Sequence, residues 1–208
     1  MEKESAIRNI LFDLGGVILD IDVQATLQRF YDLGFPAKLM NYPHNMATDL
    51  FYRFETGKIG IPEFRDEIRE ISGVDVSDHE LDKAWNAMLI RIPVERTRLI
   101  ERLATRYRLY MLSNTSALHV PVFEEMYERA SGIPMEKVFT KIYYSHLIGW
   151  HKPDREAWEY VLKDAGIKAQ ETLFLDDNIH NIKASQELGF RAIHIHERIG
   201  LMDLGFDL

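Results

Sequence analysis

Cysteine is absent from the 208-residue chain, so no disulfide framework, thiolate nucleophile or thiolate metal site is open to it. That absence is compatible with a reducing compartment. Long apolar runs are missing too. No stretch approaches the roughly 18 residues of a membrane-spanning helix, and the opening "MEKESAIRNILF" lacks the apolar segment of a secretory signal. A soluble, cytoplasmic protein is the expectation. Positive charge is also in deficit, with 25 Lys and Arg against 33 Asp and Glu and a formal net charge of −8. Without a basic stripe a nucleic-acid surface is disfavoured, although a local positive pocket for a small phosphorylated molecule is not. Neither an internal repeat nor a low-complexity segment is present. What remains is an ordinary globular composition, 46% hydrophobic and 28% charged, long enough for one domain or for one domain with an insertion.

The C-terminal half alternates strand-like and helix-like segments. "RLYMLS" (Arg108 to Ser113), "TLFLDD" (Thr172 to Asp177) and "RAIHIH" (Arg191 to His196) are short apolar runs. Between them "DREAWEYVLKDAG" and "NIHNIKASQELG" have helical apolar spacing and close on Gly166 and Gly189, suited to C-terminal caps. "PVERTRLIERLATRY" reads as a further helix with Pro93 in its first turn. From Val23 to Ile92 the pattern changes: "VQATLQRFYDLG", "FYRFETG", "IPEFRDEIREISG" and "SDHELDKAWNAML" suit amphipathic helices broken by Gly or Pro, with no convincing strand. The prediction is an α/β fold, a Rossmann-like parallel sheet flanked by helices (1–20 and 93–208), with an all-helical cap (21–92) inserted after the first strand.

In open α/β sheets ligands bind at the carboxyl ends of the strands, and here those ends carry complementary chemistry. Asp13 ends the first strand, Ser113 and Asn114 another, Asp176 and Asp177 a third, and Lys152 lies in "GWHKPD" ahead of a helix. A carboxylate nucleophile, a hydroxyl, a cation and an acidic pair are what phosphoryl transfer through an aspartyl-phosphate requires.

With "FDLGGVILD", "MLSN", "HKPD" and "LFLDDN" in that order, the chain resembles the haloacid dehalogenase-like hydrolase superfamily. Its branch with a helical cap after the first motif fits best, and within it the bacterial α-glucose-1-phosphate phosphatase-like group. The resemblance implies an Mg²⁺-dependent phosphatase acting on a small phosphorylated metabolite such as a sugar phosphate. Asp13 would attack phosphorus and share the cation with the Gly15 carbonyl, Asp176 and Asp177. Asp177 would coordinate directly, and Asp176 directly or through water. Ser113, Asn114 and Lys152 would hold the phosphoryl group, with Lys152 also keeping Asp13 ionised. Rival readings are a 2-haloacid dehalogenase, which the acidic pair speaks against, a phosphomutase, and a non-catalytic ligand-binding protein on the same scaffold.

One position departs from the pattern. Gly15 stands where the family usually has a second aspartate, whose side chain serves as general acid and then base. A glycine keeps the carbonyl and loses the proton chemistry, help that is typically worth about 10²–10⁴-fold. Asp20, Asp22, His44, His146, His151 and a bound water are candidates for the replacement. Asp20 reads as structural and Asp22 as a helix cap, while His151 beside Lys152 is the best placed. The aromatics of "FYRFETG" and "AWNAML" read as cap packing, Trp150 as a possible lining of the substrate entrance, and "RDEIRE" as a solvated helix face with i,i+4 pairs.

Overall fold

The computed structural model describes residues 6–36 and 46–206. The chain begins in the core with β1 (Asn9–Phe12), buried at every position. A tight turn follows, in which Leu14 O accepts from both Ile18 N (2.8 Å) and Leu19 N (2.9 Å), and it delivers the chain to β2 (Asp20–Ile21). α1 (Val23–Asp32) starts on Asp22, whose carboxylate accepts from Gln24 N at 2.9 Å, satisfying one of the free donors of a helix start. α2 (Met46–Glu55), α3 (Ile61–Ser72) and α4 (Asp78–Asn86) follow among the described residues of the helical insertion. α4 opens with a reciprocal capping box between Ser77 and Glu80.

These four helices have their own apolar centre, with Phe30, Phe54, Phe64, Leu81 and Trp85 buried together and the Phe54 and Phe64 rings stacked at 4.1 Å. The "RDEIRE" face differs from the expected i,i+4 pattern. Arg65 reaches across to Asp78 and Asp82 of α4, and Arg69 pairs with Asp78 and with Asp66 three residues back. Side chains tie two helices here instead of lining one.

β3 (Leu89–Arg91) returns antiparallel to β2, a two-stranded ribbon that the sequence pattern does not reveal. Three residues with Ile90 and Arg91 exposed are too few to show alternation. α5 (Val94–Ala104) then starts on Pro93 as its N-cap, one residue outside the helix and not in its first turn. β4 (Arg108–Ser113), α6 (Val120–Ser131), β5 (Lys141–Tyr144), α7 (Ser145–Ile148), α8 (Arg155–Ala165), β6 (Thr172–Asp176), α9 (Ile179–Glu187) and β7 (Arg191–His194) follow. α6 and β5 also escape the sequence reading; β5 buries only two of its four residues fully.

The five long strands pair in parallel in the order β5-β4-β1-β6-β7. Alternation along β1 sends Ile10 and Phe12 to one face and Leu11 to the other. The first face packs on Leu99, Ile100 and Leu103 of α5 and Phe123 and Tyr127 of α6. The second packs on Trp158 and Val161 of α8 and Ile182 of α9. Both faces being covered explains why the strands read as unbroken apolar runs. From central β1 the chain builds outward on one side through β4 and β5, then on the other through β6 and β7. This reversal opens a crevice at the carboxyl end of β1. No helix among the described residues is long and apolar enough to cross a membrane.

The helical insertion is docked on the sheet by buried polar contacts. Trp85 Nε1 donates to Ser116 Oγ at 2.9 Å, and His119 Nδ1 donates to Asn86 Oδ1 at 2.8 Å. The His119 ring lies flat on Trp85 (5.2 Å, 7°). Burial pulls the His119 pKa down to about 4, against a smaller opposing pull from Glu55. The unfolded chain protonates near 6.5, so the stability this neutral ring contributes is complete above about pH 6.5 and is lost as pH falls towards 4. Urea denaturation of wild type and His119→Gln should diverge in slope across that window, with the variant the flatter. Parallel curves would contradict the assignment.

Candidate active site

Asp13 directly follows β1, and its N–H donates to Leu175 O at 2.8 Å. Since Phe12 pairs with Leu175, parallel register sets Asp13 beside Asp176 at the carboxyl edge of the sheet. Lys152 enters between them from the loop ahead of α8. Its Nζ donates to Asp13 Oδ1 and to Asp176 Oδ2, each at 2.7 Å, and the lysine is only 2% exposed. Asp176 is fully buried and also accepts from Asn178 N (2.7 Å) and, at each oxygen, from Asn181 Nδ2 (3.0 Å). The N-cap of α9 is Asn178, whose side chain accepts from His180 N, so neither aspartate of the pair is spent on capping.

Asn114 fixes the lysine loop at two points. Its Oδ1 accepts from Lys152 N and its Nδ2 donates to Lys152 O, both at 2.8 Å. The Lys152–Pro153 peptide bond is cis. Ser113 is buried at the end of β4 and, with Asp13, Gly15, Asn114, Lys152 and Asp177, lines a cavity of about 430 Å³. Gly16 has φ +68°, and a Cβ there would fall 2.1 Å from Asp177 Oδ2. Only glycine allows this approach. Gly15 is less constrained, since a Cβ there would meet Ile21 Cδ1 at 3.2 Å.

Burial pushes the Asp13 carboxyl up to about 7; Lys152 pulls it back, and Asp176 and Asp177 push it further up. Burial likewise opposes the charge on Lys152, but the two carboxylates outweigh it and hold the ammonium above the ordinary lysine range. Asp177 is raised by burial and then by Asp176. Oxygens of Asp13, Asp176 and Asp177 all lie within 4.8 Å of one another. Three convergent carboxylates sharing one lysine carry excess negative charge, and an all-oxygen donor set of this kind fits a hard divalent cation such as Mg²⁺.

Residues 110–195 match the haloacid dehalogenase-like hydrolase family profile. A D-ribitol-5-phosphate phosphatase of Bacteroides thetaiotaomicron is 32% identical over 89% of this chain and 90% of its own. The chain belongs to the haloacid dehalogenase-like hydrolase family. A sesquiterpene phosphatase of Aspergillus oryzae is 27% identical over 91% and 90%. Among solved structures, a haloacid dehalogenase family enzyme of B. thetaiotaomicron in complex with magnesium and inorganic phosphate superposes with a TM-score of 0.84. It is 35% identical, with 92% of this chain and 95% of that one covered.

As a family member, the protein brings together Asp13, Gly15, Ser113, Asn114, Lys152, Asp176 and Asp177 within one polar cluster at the strand ends. The candidate proton donors separate. Asp20 is paired with Arg91 (3.0 Å) and Arg96 (2.8 Å), Asp22 is the α1 cap, and His44 lies outside the described residues. His146 stacks on Tyr144 and is not a lining residue of the cavity; Trp150 is 41% exposed and does not line it either. His151 does. Three lining residues, Ile21, Glu55 and Asn181, escape the sequence reading. Asn181 has as its only signal a position one turn into α9. Glu55 is hidden in an aromatic-rich helix whose Leu50, Phe51 and Phe54 do pack the insertion.

Replacing Lys152 by Met would leave Asp13 and Asp176 buried without their counter-charge. Loss of one member of such a buried ion set costs on the order of 3–5 kcal/mol. Urea denaturation in EDTA should show a loss of that size, and Mg²⁺ should recover part of it. An unchanged midpoint would mean that the lysine does not balance these carboxylates.

Proposed function

We propose that this protein is an Mg²⁺-dependent phosphatase that hydrolyses a small phosphomonoester through an aspartyl-phosphate on Asp13. The observation that carries the reading is Lys152 Nζ at 2.7 Å from both Asp13 and Asp176, with Asp177 completing a three-carboxylate group. Kinship with a phosphatase over nearly the whole chain supports it.

In this reading Asp13 supplies the attacking oxygen. Lys152 offsets the negative charge of nucleophile and phosphoryl group together, since neither could approach the other unscreened. Ser113 donates a hydroxyl hydrogen bond to a phosphoryl oxygen, and Asn114 keeps Lys152 in place. Asp13, Asp176, Asp177 and the carbonyl of Gly15 would hold the cation, which when bound neutralises phosphoryl charge and orients that group for in-line attack. Residues 21–92 act as the cap that closes the cavity and sets specificity over a core of residues 1–20 and 93–208.

A cavity of about 430 Å³ lined by charged and amide side chains suits a phosphorylated polyol better than a long terpenoid chain. D-ribitol 5-phosphate and α-glucose 1-phosphate, the substrates of the relative and of the group whose motifs this sequence resembles, share that chemistry. The dehalogenase reading is disfavoured because three carboxylates would repel a carboxylate substrate.

A phosphate-ester panel assayed with Mg²⁺ tests the proposal. Turnover should vanish with EDTA, return with Mg²⁺, and fall by about 10⁴-fold or more in Asp13→Asn, as expected for loss of a nucleophile. Undiminished turnover by that variant would refute the mechanism.

A further inference from the structure

We propose that Glu55, carried by the helical insertion and held by His151, supplies the proton chemistry missing at Gly15. This inference rests on the phosphatase reading above. Glu55 is the last residue of α2 and lines the same cavity as Asp13 and Gly15. The core anchors it there. Ser145 Oγ donates to its backbone carbonyl at 2.6 Å. Two residues on, Gly57 (φ +67°) sits so close to His146 that a Cβ would fall 2.1 Å from that carbonyl oxygen.

Hydrogen-bond logic fixes how the carboxylate is presented. Lys152 N–H donates to Asn114 Oδ1, which orients the Asn114 amide and turns its Nδ2–H₂ towards His151. His151 Nδ1, 2.9 Å from Asn114 Nδ2, must therefore accept. The ring proton is then on Nε2, which donates to Glu55 Oε2 at 2.9 Å. One oxygen of Glu55 is thus committed to His151, and the other makes no hydrogen bond among the described residues. Both ring nitrogens of His151 are engaged, so it is a positioning residue; Glu55 lines the cavity with one carboxylate oxygen still unspent among the described residues. The rival carboxylates are occupied elsewhere: Asp20 by two arginines, Asp22 by the α1 start, and Asp176 by Lys152 and Asn181.

The cycle balances. As the phosphorus–oxygen ester bond breaks and an Asp13 oxygen bonds to phosphorus, protonated Glu55 gives its proton to the departing alkoxide. Water then attacks the phosphoryl-aspartate, the Asp13–phosphorus bond breaks, and the water proton returns to Glu55. Alcohol and inorganic phosphate leave, with no net proton held by the protein.

The test compares Glu55→Gln with wild type on two esters in Mg²⁺: p-nitrophenyl phosphate, whose leaving group departs without a proton, and an alkyl ester, D-ribitol 5-phosphate or glycerol 3-phosphate, whose leaving group needs one. The expected result, read as the single-turnover rate of leaving-group release, is a loss of about 10²–10⁴-fold on the alkyl ester and of at most about threefold on p-nitrophenyl phosphate, while steady-state kcat, which includes hydrolysis of the shared aspartyl-phosphate, falls on both. Glu55→Asp, which keeps a shorter carboxylate, should recover part of the alkyl-ester rate. Equal single-turnover losses on both esters would assign Glu55 to holding the insertion in place. A raised KM for the alkyl ester with unchanged kcat would assign it to substrate binding. Either outcome overturns the proposal, as does no change. Inactivity of the wild type on every ester would instead remove the phosphatase reading itself.

Discussion

Everything at the strand ends is organised around one buried ammonium shared by two carboxylates. Lys152 Nζ touches Asp13 and Asp176 at 2.7 Å each, with almost no water to screen it. A charge so placed is tolerable only if each partner is fixed, because breaking any one contact strands a buried ion. The fold answers with redundancy. Parallel pairing of β1 with β6 sets the two aspartates side by side, Asn114 clamps the lysine backbone from β4, and Asn181 and the Asn178 amide hold Asp176 from α9. Three neighbouring strands and two helix entries therefore converge on a single point. This explains why the site's residues are far apart in sequence and adjacent in space.

The same convergence decides what was legible beforehand. Asp13, Ser113, Lys152 and the 176–177 pair are readable because each ends an apolar run or opens a helix, and because strand ends in a parallel sheet must meet. Asp22 as a cap follows from its place before "VQATLQRFYD". The β2–β3 ribbon could not be read, since pairing between residues 20–21 and 89–91 depends on where the insertion leaves and re-enters, not on local pattern. The partners of Arg65 and Arg69 are hidden for a similar reason: helix periodicity gives the face of a side chain but not which neighbouring helix it meets. Glu55 is the most instructive case. Its flanking aromatics, Phe51 and Phe54, do go into the apolar centre of the insertion, and one polar residue at the helix end is silent until the docked helix shows what it overlooks.

The Gly15–Gly16 pair shows two different reasons for glycine. At Gly16 the backbone lies in the left-handed region and Asp177 occupies the space of a side chain, so the residue is dictated by the approach of a site carboxylate. At Gly15 no such demand exists; the neighbour is the tip of Ile21, which can yield. Gly16 is thus dictated by geometry, while at Gly15 the proposed function gives the reason, a side chain omitted while its carbonyl is kept.

That omission has a consequence for selectivity. An acid carried on β1 would be in position whether or not the insertion is docked. A carboxylate carried at the end of α2 is in position only when Ser145 and His151 hold that helix end against the core. On the proposed mechanism, attack by Asp13 would need only the groups gathered around Lys152 and the cation they would hold, whereas protonation of a poor leaving group would need α2 docked against the core. On that mechanism a substrate that displaced α2 would meet a nucleophile without an acid, so alkyl esters that fit would be favoured over those that do not by more than their binding energies differ. Fit to the cap would be read at the chemical step as well as at binding.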